Sequence, residues 1–292
     1  MKSSQKVKLM KKICVIGAGT MGLDIAQAFA VKGFDVTVRD ISDEILDAAK
    51  ARLIKGLDKK ISRGKMTEDA KAELLNRMTF TTDLAALADM DLIVEAIREQ
   101  MALKKQVFGE LDTICKPETI FASNTSSLSI TEIASATKRQ DKFIGTHFFN
   151  PATVMKLVEL IRGAHTSDAT FAEIEKLSVE IGKTPVEVAE APGFVVNKML
   201  VPLINEGVCI YAEGIASAED IDTAMRLGAN HPMGPLELGD LVGWDVLLNV
   251  IDVFFDETHD TKYRAHPLMR KMVRGGLLGR KSGKGFYDYT KK

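Results

Sequence analysis

The apolar residues of this chain change period along its length, and each change marks an element. Lys12 to Ile16 is a short apolar run bounded by glycine, as in a buried strand; Gly17 to Gly22 turns the chain, and Ala26 and Ala30 continue at helical spacing. Phe34 to Arg39 returns to a strand pattern, completing a strand, glycine turn, helix and strand of the length of a parallel crossover. From Glu44 to Met78 the pattern is helical. Ile45, Ala49, Leu53, Leu57 and Ile61 recur every four residues, Gly64 breaks the run, and Thr67 starts a second helix.

Alternation then resumes. Leu92 to Ala96 reads as strand, Gln100 to Ile114 as helix, Ile120 to Ser123 as strand, Ile130 to Ala136 as helix and Phe143 to Phe148 as strand. This order predicts a Rossmann-type α/β doubly wound sheet with an inserted helical hairpin at about 44–78. Val154 to Ile161, a helix from Asp168 to Ile181 and Pro185 to Val188 complete it. From Phe194 onward only long helical patterns remain. The chain is expected to divide into an α/β domain at 10–193 and a smaller all-α C-terminal domain at 194–292.

Composition agrees with two cores: 292 residues exceed the usual single-domain size, with 46% hydrophobic and 27% charged residues. A net charge of −1 argues against a nucleic-acid footprint over the whole surface, and no apolar run reaches the roughly 20 residues of a membrane span. Cys14, Cys115 and Cys209 have no metal-ligand or paired spacing, which suggests buried free thiols in a reducing, cytoplasmic compartment. Met1 to Lys12 is polar and basic, a poor secretory signal, and is read as a short leader.

Gly17-Ala18-Gly19-Thr20-Met21-Gly22 is a GxGxxG set between a strand and a helix. In that position the first glycine permits the tight turn, the second lets backbone approach a pyrophosphate, and the third lets helix and strand pack. The phosphate then rests on a helix N-terminus. Asp40 follows Gly22 by 18 residues at the end of the second strand, where its carboxylate meets ribose hydroxyls and favours NAD. Arg39 beside it leaves NADPH use open, or is a surface residue without a ligand.

His147 ends one strand, and Glu159 lies on the next, beyond the turn signal Asn150-Pro151. If the strands pair antiparallel about Thr153, the two residues stand opposite each other on one face. A carboxylate there fixes the imidazole tautomer and stabilises the imidazolium formed when a hydroxyl proton is taken. Spacing alone leaves a structural His–Glu pair as the commoner outcome. Ser126 and Asn150 add polar groups at carboxyl ends of strands, where such sheets bind ligands, although a Ser/Thr/Asn cluster is otherwise a cap signal. His165, His231, His259 and His266 have no comparable partners and read as structural or surface residues.

With these residues stand VIGAGTMG at 15–22, ASNTSSLSITEIA at 122–134, GTHFFNP at 145–151, MKLVELIRG at 155–163, APGFVVNK at 191–198, NHPMGPLELGD at 230–240 and GRKSGKGFYDY at 279–289. Over about residues 10–290 the chain resembles the L-3-hydroxyacyl-CoA dehydrogenase family, nearest its bacterial short-chain 3-hydroxybutyryl-CoA branch. The resemblance implies a base at His147, its partner at Glu159 and polar support from Ser126 and Asn197, which also face substrate. It further implies cofactor contacts from Glu99, Lys104, Ser126 and Asn150; by themselves Glu99 and Lys104 read as a solvated charge pair. It implies NAD as cofactor, a short-chain acyl-CoA as substrate and a homodimer through the helical domain.

The chain departs from the family pattern at three positions. Asp24 replaces a common Gly and is expected to oppose the bound pyrophosphate, Thr153 replaces a Pro in the turn between the catalytic strands and is expected to loosen it, and Gly56 replaces a polar CoA contact. Between Lys50 and Lys65 seven basic residues face one acidic residue, Asp58. Lys60 and Arg63, one helical turn apart, are candidate contacts for CoA phosphates, with a solvated helix face as the bland alternative. Two rival functions remain: a dehydrogenase of a free sugar acid such as gulonate, and a catalytically silent NAD-binding structural protein.

Overall fold

The computed structural model describes residues 10–290. The leader expected at Met1 to Lys12 lies outside them as far as Leu9. Contacts divide the chain between Glu190 and Ala191 into a sheet-bearing unit and a helical unit.

In the first unit eight strands form one sheet in the order β3-β2-β1-β4-β5-β6-β7-β8. They are β1 (Lys12–Ile16), β2 (Asp35–Arg39), β3 (Met78–Thr81), β4 (Leu92–Glu95), β5 (Ile120–Ser123), β6 (Phe143–Phe148), β7 (Leu157–Arg162) and β8 (Thr184–Ala189). Every neighbouring pair is parallel except β6 with β7. The order reverses at β1, so chain leaving β1 and β4 opens a crevice at their carboxyl ends.

The helices are α1 (Thr20–Ala30), α2 (Asp43–Ser62), α3 (Glu68–Asn76), α4 (Met101–Ile114), α5 (Ile130–Ala134) and α6 (Asp168–Glu180). Residues of α1, α2, α3 and α6 share one apolar core with alternate residues of β1, β2, β4, β5, β6 and β7. Phe108 of α4 packs with Phe121 and Phe143 on the other face, with ring centroids 5.5 and 4.6 Å away. The hairpin of α2 and α3 forms where the helical spacing places it: Ala49, Leu53 and Leu57 are buried as read, whereas Ile45 is exposed and Leu46 is buried in its place. Ser42 and Thr67 cap the two helices by accepting from the N–H groups of Ile45 and Ala70.

β3 corrects the reading of 44–78 as wholly helical. Its sequence, Met-Thr-Phe-Thr, favours a strand but is only four residues long, and its first residue continues the helical spacing. Pairing decides the matter, because Met78, Thr79, Phe80 and Thr81 align with Val36, Thr37, Val38 and Arg39 of β2.

The second unit contains α7 (Val196–Ala212), α8 (Ala218–Gly228), α9 (Pro235–Val242), α10 (Trp244–Thr258) and α11 (Pro267–Arg274) around Ile204, Leu236, Trp244, Ile251, Phe254 and Met269. Two buried carboxylates tie its loops. Asp222 accepts from the N–H groups of Leu236 and Glu237 at the start of α9, and from the Tyr287 hydroxyl. Asp240 accepts from Trp244 Nε1 and from the N–H groups of Phe286 and Tyr287. A Cβ at Gly285 would lie 1.8 Å from Asp240 Oδ1, so the motifs at 230–240 and 279–289 lock together here structurally.

Candidate active site

The glycine turn has the three properties its sequence calls for. Gly17 has φ +102°, and a Cβ there would lie 2.6 Å from the Ala96 carbonyl oxygen. At Gly22 a Cβ would lie 1.8 Å from the Gly17 carbonyl oxygen, so helix and turn touch through backbone. Gly19 differs: nothing lies within 4 Å of its Cβ position. As N-cap of α1 it supplies no side-chain acceptor, which leaves amides at a helix start facing open space. These features fit a dinucleotide pyrophosphate. Asp40 secures the turn, accepting from Ala18 N–H at 2.6 Å and Ile41 N–H at 2.7 Å. Arg39 Nε donates to the Thr82 carbonyl at 3.4 Å, toward the end of β3.

At the carboxyl ends of β4 and β5 lies a charged network that the sequence did not reveal. Lys104 is 1% exposed, and its ammonium lies 2.7 Å from Glu95 Oε1 and 3.1 Å from Glu99 Oε2. Glu95 is fully buried and accepts from Ser123 Oγ at 2.6 Å and Ile97 N–H at 2.7 Å. The solvated pair expected of Glu99 and Lys104 is therefore corrected: Lys104 is buried with Glu95, and Glu99 lies at the exposed edge of the trio. Glu99 accepts from Ser126 N–H at 2.9 Å, from the Ser126 and Ser127 hydroxyls at 3.4 Å, and from the Thr125 hydroxyl. Burial alone would raise the Glu99 carboxyl, but Lys104 and donors from Thr125 and Ser126 hold it below the usual range. Glu95 and Ser123 were missed because the run Leu-Ile-Val-Glu looks like a strand stopping at solvent.

β6 and β7 place His147 directly opposite Glu159. Alternation sends Ile144, Phe148, Val158 and Leu160 into the core beneath α1 and puts His147 and Glu159 on the other face. Both are buried, 6% and 1% exposed, with His147 Nδ1 2.7 Å from Glu159 Oε2. The Phe149 ring lies 4.5 Å from the imidazole between centroids, and Phe148 N–H donates to Asn124 Oδ1 at 2.8 Å, linking the strand end to the loop after β5. Asn150 is exposed and precedes a cis bond to Pro151. Asn197 is the second residue of α7, in the helical unit.

Asp24 has cationic company that its sequence position does not foreshadow. Burial raises its carboxyl, and the groups that pull it back are the Ala152 N–H, Lys60, Arg52 and Lys183. Its cationic neighbours include Lys60 and Arg52 of α2, and Arg52 Nη2 donates to the Ala18 carbonyl of the glycine turn at 2.7 Å, so cations stand beside the Asp24 charge. Asp24→Asn is expected to leave the NADH dissociation constant within about twofold, the scale of about 0.5 kcal/mol for a change away from a binding contact. A tightening of tenfold by fluorescence titration would restore the opposing role. The turn carrying Thr153 is also held: Lys183 Nζ donates to the carbonyls of Ala152 at 2.5 Å and Met155 at 2.7 Å.

Beside this turn is a cavity of about 340 Å³ lined by Gln27, Lys32, Lys60, Lys65, Thr153 and Lys183, among others. Lys60 faces it, whereas Arg63 is exposed at the C-cap of α2 and is absent from its lining. The sequence missed Lys32 and Lys183, which lie far from Lys60 along the chain. Gly56 lies on the exposed side of α2 with nothing within 4 Å of its Cβ position. Among the other histidines, His266 caps α11 by accepting from Leu268 N–H, and His259 ends α10 in the left-handed region. Cys14 and Cys115 are buried free thiols; Cys209 is only half-buried.

A strand-turn-helix cradle for a dinucleotide, followed by a buried His–Glu pair at the end of a parallel strand, defines a nicotinamide-dependent oxidoreductase. Comparison with known proteins gives the family. Residues 12–191 match the 3-hydroxyacyl-CoA dehydrogenase NAD binding domain, and residues 193–289 match the 3-hydroxyacyl-CoA dehydrogenase C-terminal domain. The chain belongs to the 3-hydroxyacyl-CoA dehydrogenase family, and its cofactor is NAD. It is 56% identical to a 3-hydroxybutyryl-CoA dehydrogenase of Clostridioides difficile, over 96% of this chain and 100% of that protein. It is 43% identical to the mitochondrial hydroxyacyl-coenzyme A dehydrogenase of Homo sapiens, over 98% and 94%. Among solved structures, (S)-3-hydroxybutyryl-CoA dehydrogenase from Ralstonia eutropha superposes with a TM-score of 0.93 at 48% identity, covering 97% of this chain and 100% of that one.

Proposed function

We propose that the protein oxidises L-3-hydroxybutyryl-CoA to acetoacetyl-CoA with NAD and carries out the reverse reduction. The 2.7 Å contact between His147 Nδ1 and Glu159 Oε2 carries this reading, because oxidation of an alcohol needs a base for the hydroxyl proton as hydride leaves. When bound, the nicotinamide accepts the hydride from carbon 3. Glu159 holds His147 in the tautomer with the proton on Nδ1, so the hydroxyl proton is taken at Nε2 and the carbon–oxygen bond becomes a carbonyl. The imidazolium formed is stabilised by the adjacent carboxylate. Ser126 and Asn197 are assigned to the reacting oxygen, and Glu99, Lys104 and Asn150 to the nicotinamide end of the cofactor. The glycine turn from Gly17 to Gly22 and Asp40 are assigned to its pyrophosphate and adenosine ribose.

The domains 10–193 and 194–292 are assigned to cofactor and to substrate and dimer formation. A homodimer through the helical domain is part of this reading and rests on the resemblance to the family. Among the described residues no helix is long and apolar enough to cross a membrane.

The reading is tested by NADH fluorescence loss on adding acetoacetyl-CoA, with a 3-keto sugar acid and NADPH as comparisons. Consumption with the sugar acid alone would overturn it.

Lys60 and Arg63 are assigned to the CoA phosphates, with Lys65 and Lys183 strengthening the positive field beside Lys60. Lys60→Glu with Arg63→Glu is expected to raise KM for acetoacetyl-CoA about tenfold at low salt, two reversed charges at about 0.2–1 kcal/mol for each interaction made or lost. The increase should shrink as salt screens the site. A truncated acetoacetyl thioester without the nucleotide should be unaffected; equal losses on both substrates would remove the docking role.

A further inference from the structure

Glu95 lies outside the assigned machinery, yet it is fully buried, and every oxygen of its carboxylate has a donor. Oε1 accepts from Lys104 Nζ and Ile97 N–H, both at 2.7 Å, and Oε2 accepts from Ser123 Oγ at 2.6 Å. The Lys104 ammonium is shared with Glu99 Oε2 at 3.1 Å. Glu99 Oε1, its other oxygen, holds the loop after β5, with Ser126 N–H at 2.9 Å. Charge thus alternates inward from the loop: carboxylate, ammonium, carboxylate.

We infer that Glu95 is a positioning residue that sets Ser126 for hydride transfer, acting through Lys104 and Glu99. The inference rests on the assignment of Ser126 to the reacting oxygen. In a buried setting an ammonium seeks all the negative charge within reach. With the Glu95 side chain in place, Lys104 is drawn toward the end of β4, and Glu99 keeps one oxygen for the ammonium and one for the serine loop. Without that charge, Lys104 is left to Glu99 alone. Glu99 is then pulled toward α4, and its hold on Ser126 N–H weakens. The Ser123 hydroxyl and Ile97 N–H keep the Glu95 carboxylate in place, so the position of the relay is set by β4 and β5 themselves.

The test is a double-mutant cycle in kcat at saturating NADH and acetoacetyl-CoA. Glu95→Gln preserves shape and removes the charge, and it is expected to lower kcat about ten- to a hundredfold, the scale of a misplaced reacting contact. In a Ser126→Ala background the same change should cost no more than about twofold, because the group that it positions is already gone. Equal fold losses in both backgrounds would overturn the relay, since a role in the fold or the cofactor turn does not depend on Ser126. A Ser126→Ala protein with wild-type kcat would overturn the assignment of Ser126, and the relay with it. If Glu95→Gln does not fold, Ser123→Ala removes one donor and lets the Glu95 carboxylate shift. Its loss must likewise appear with Ser126 present and vanish without it; any other pattern overturns the proposal.

Discussion

Replacing His147 by glutamine is expected to lower turnover about 10²–10⁴-fold, the worth of a positioned general base, while NADH binds with near-normal affinity. Glutamine keeps a polar group near Glu159 but cannot take the hydroxyl proton. His147 sits near the end of β6, paired with β7 and 6% exposed, so its replacement must be shown to leave the fold intact by circular dichroism and thermal melting. Glu159→Gln should act on the same step, because it withdraws the carboxylate from Nδ1 at 2.7 Å. The two changes should be strongly non-additive in kcat, as expected of residues that act as a unit. Near-normal turnover in a folded His147→Gln protein would sink the assignment.

The second large effect concerns the glycine turn, where two alanine substitutions should fail in different ways. At Gly22 the added methyl would lie 1.8 Å from the Gly17 carbonyl oxygen, a backbone atom that cannot turn aside. Gly22→Ala is expected to cost about 3 kcal/mol or more of stability, the range for strain at a tightly packed position, and to weaken NADH binding about a hundredfold through the displaced turn. At Gly19 the methyl would meet nothing within 4 Å. Gly19→Ala should therefore leave the melting temperature of the cofactor-free protein unchanged while weakening NADH, since the methyl enters the space assigned to the pyrophosphate. Thermal melting without cofactor and NADH titration separate the two. A Gly19→Ala protein with wild-type NADH affinity would place the pyrophosphate elsewhere.

The local part of this architecture was legible because it depends on neighbours in sequence. The GxGxxG set between a strand and a helix needed only short-range geometry, and the register of His147 with Glu159 followed from symmetry about the turn at Thr153. Both rest on the two-residue period of strands and the backbone freedom of glycine. The α2–α3 hairpin was equally legible from its four-residue spacing and from caps at Ser42 and Thr67.

What the sequence could not show depends on groups brought together from afar. β3 is a strand because β2 offers it a ladder; four residues are too short a run to be told apart by period, and the helical spacing runs on to Met78. Lys104 looked solvated because helical spacing cannot tell that Glu95 and Glu99 close over its ammonium. Asp24, read from its place in the first turns of α1 as a charge opposing the pyrophosphate, has Lys60, Arg52, Lys183 and the Ala152 N–H as neighbours that its place in the chain does not reveal. Sequence by itself thus determined the periodic elements, the cofactor turn and the register that sets His147 opposite Glu159. Only the tertiary structure decided which charges are buried and whom they meet, because Coulomb energy depends on distance through space and on the water excluded around each group.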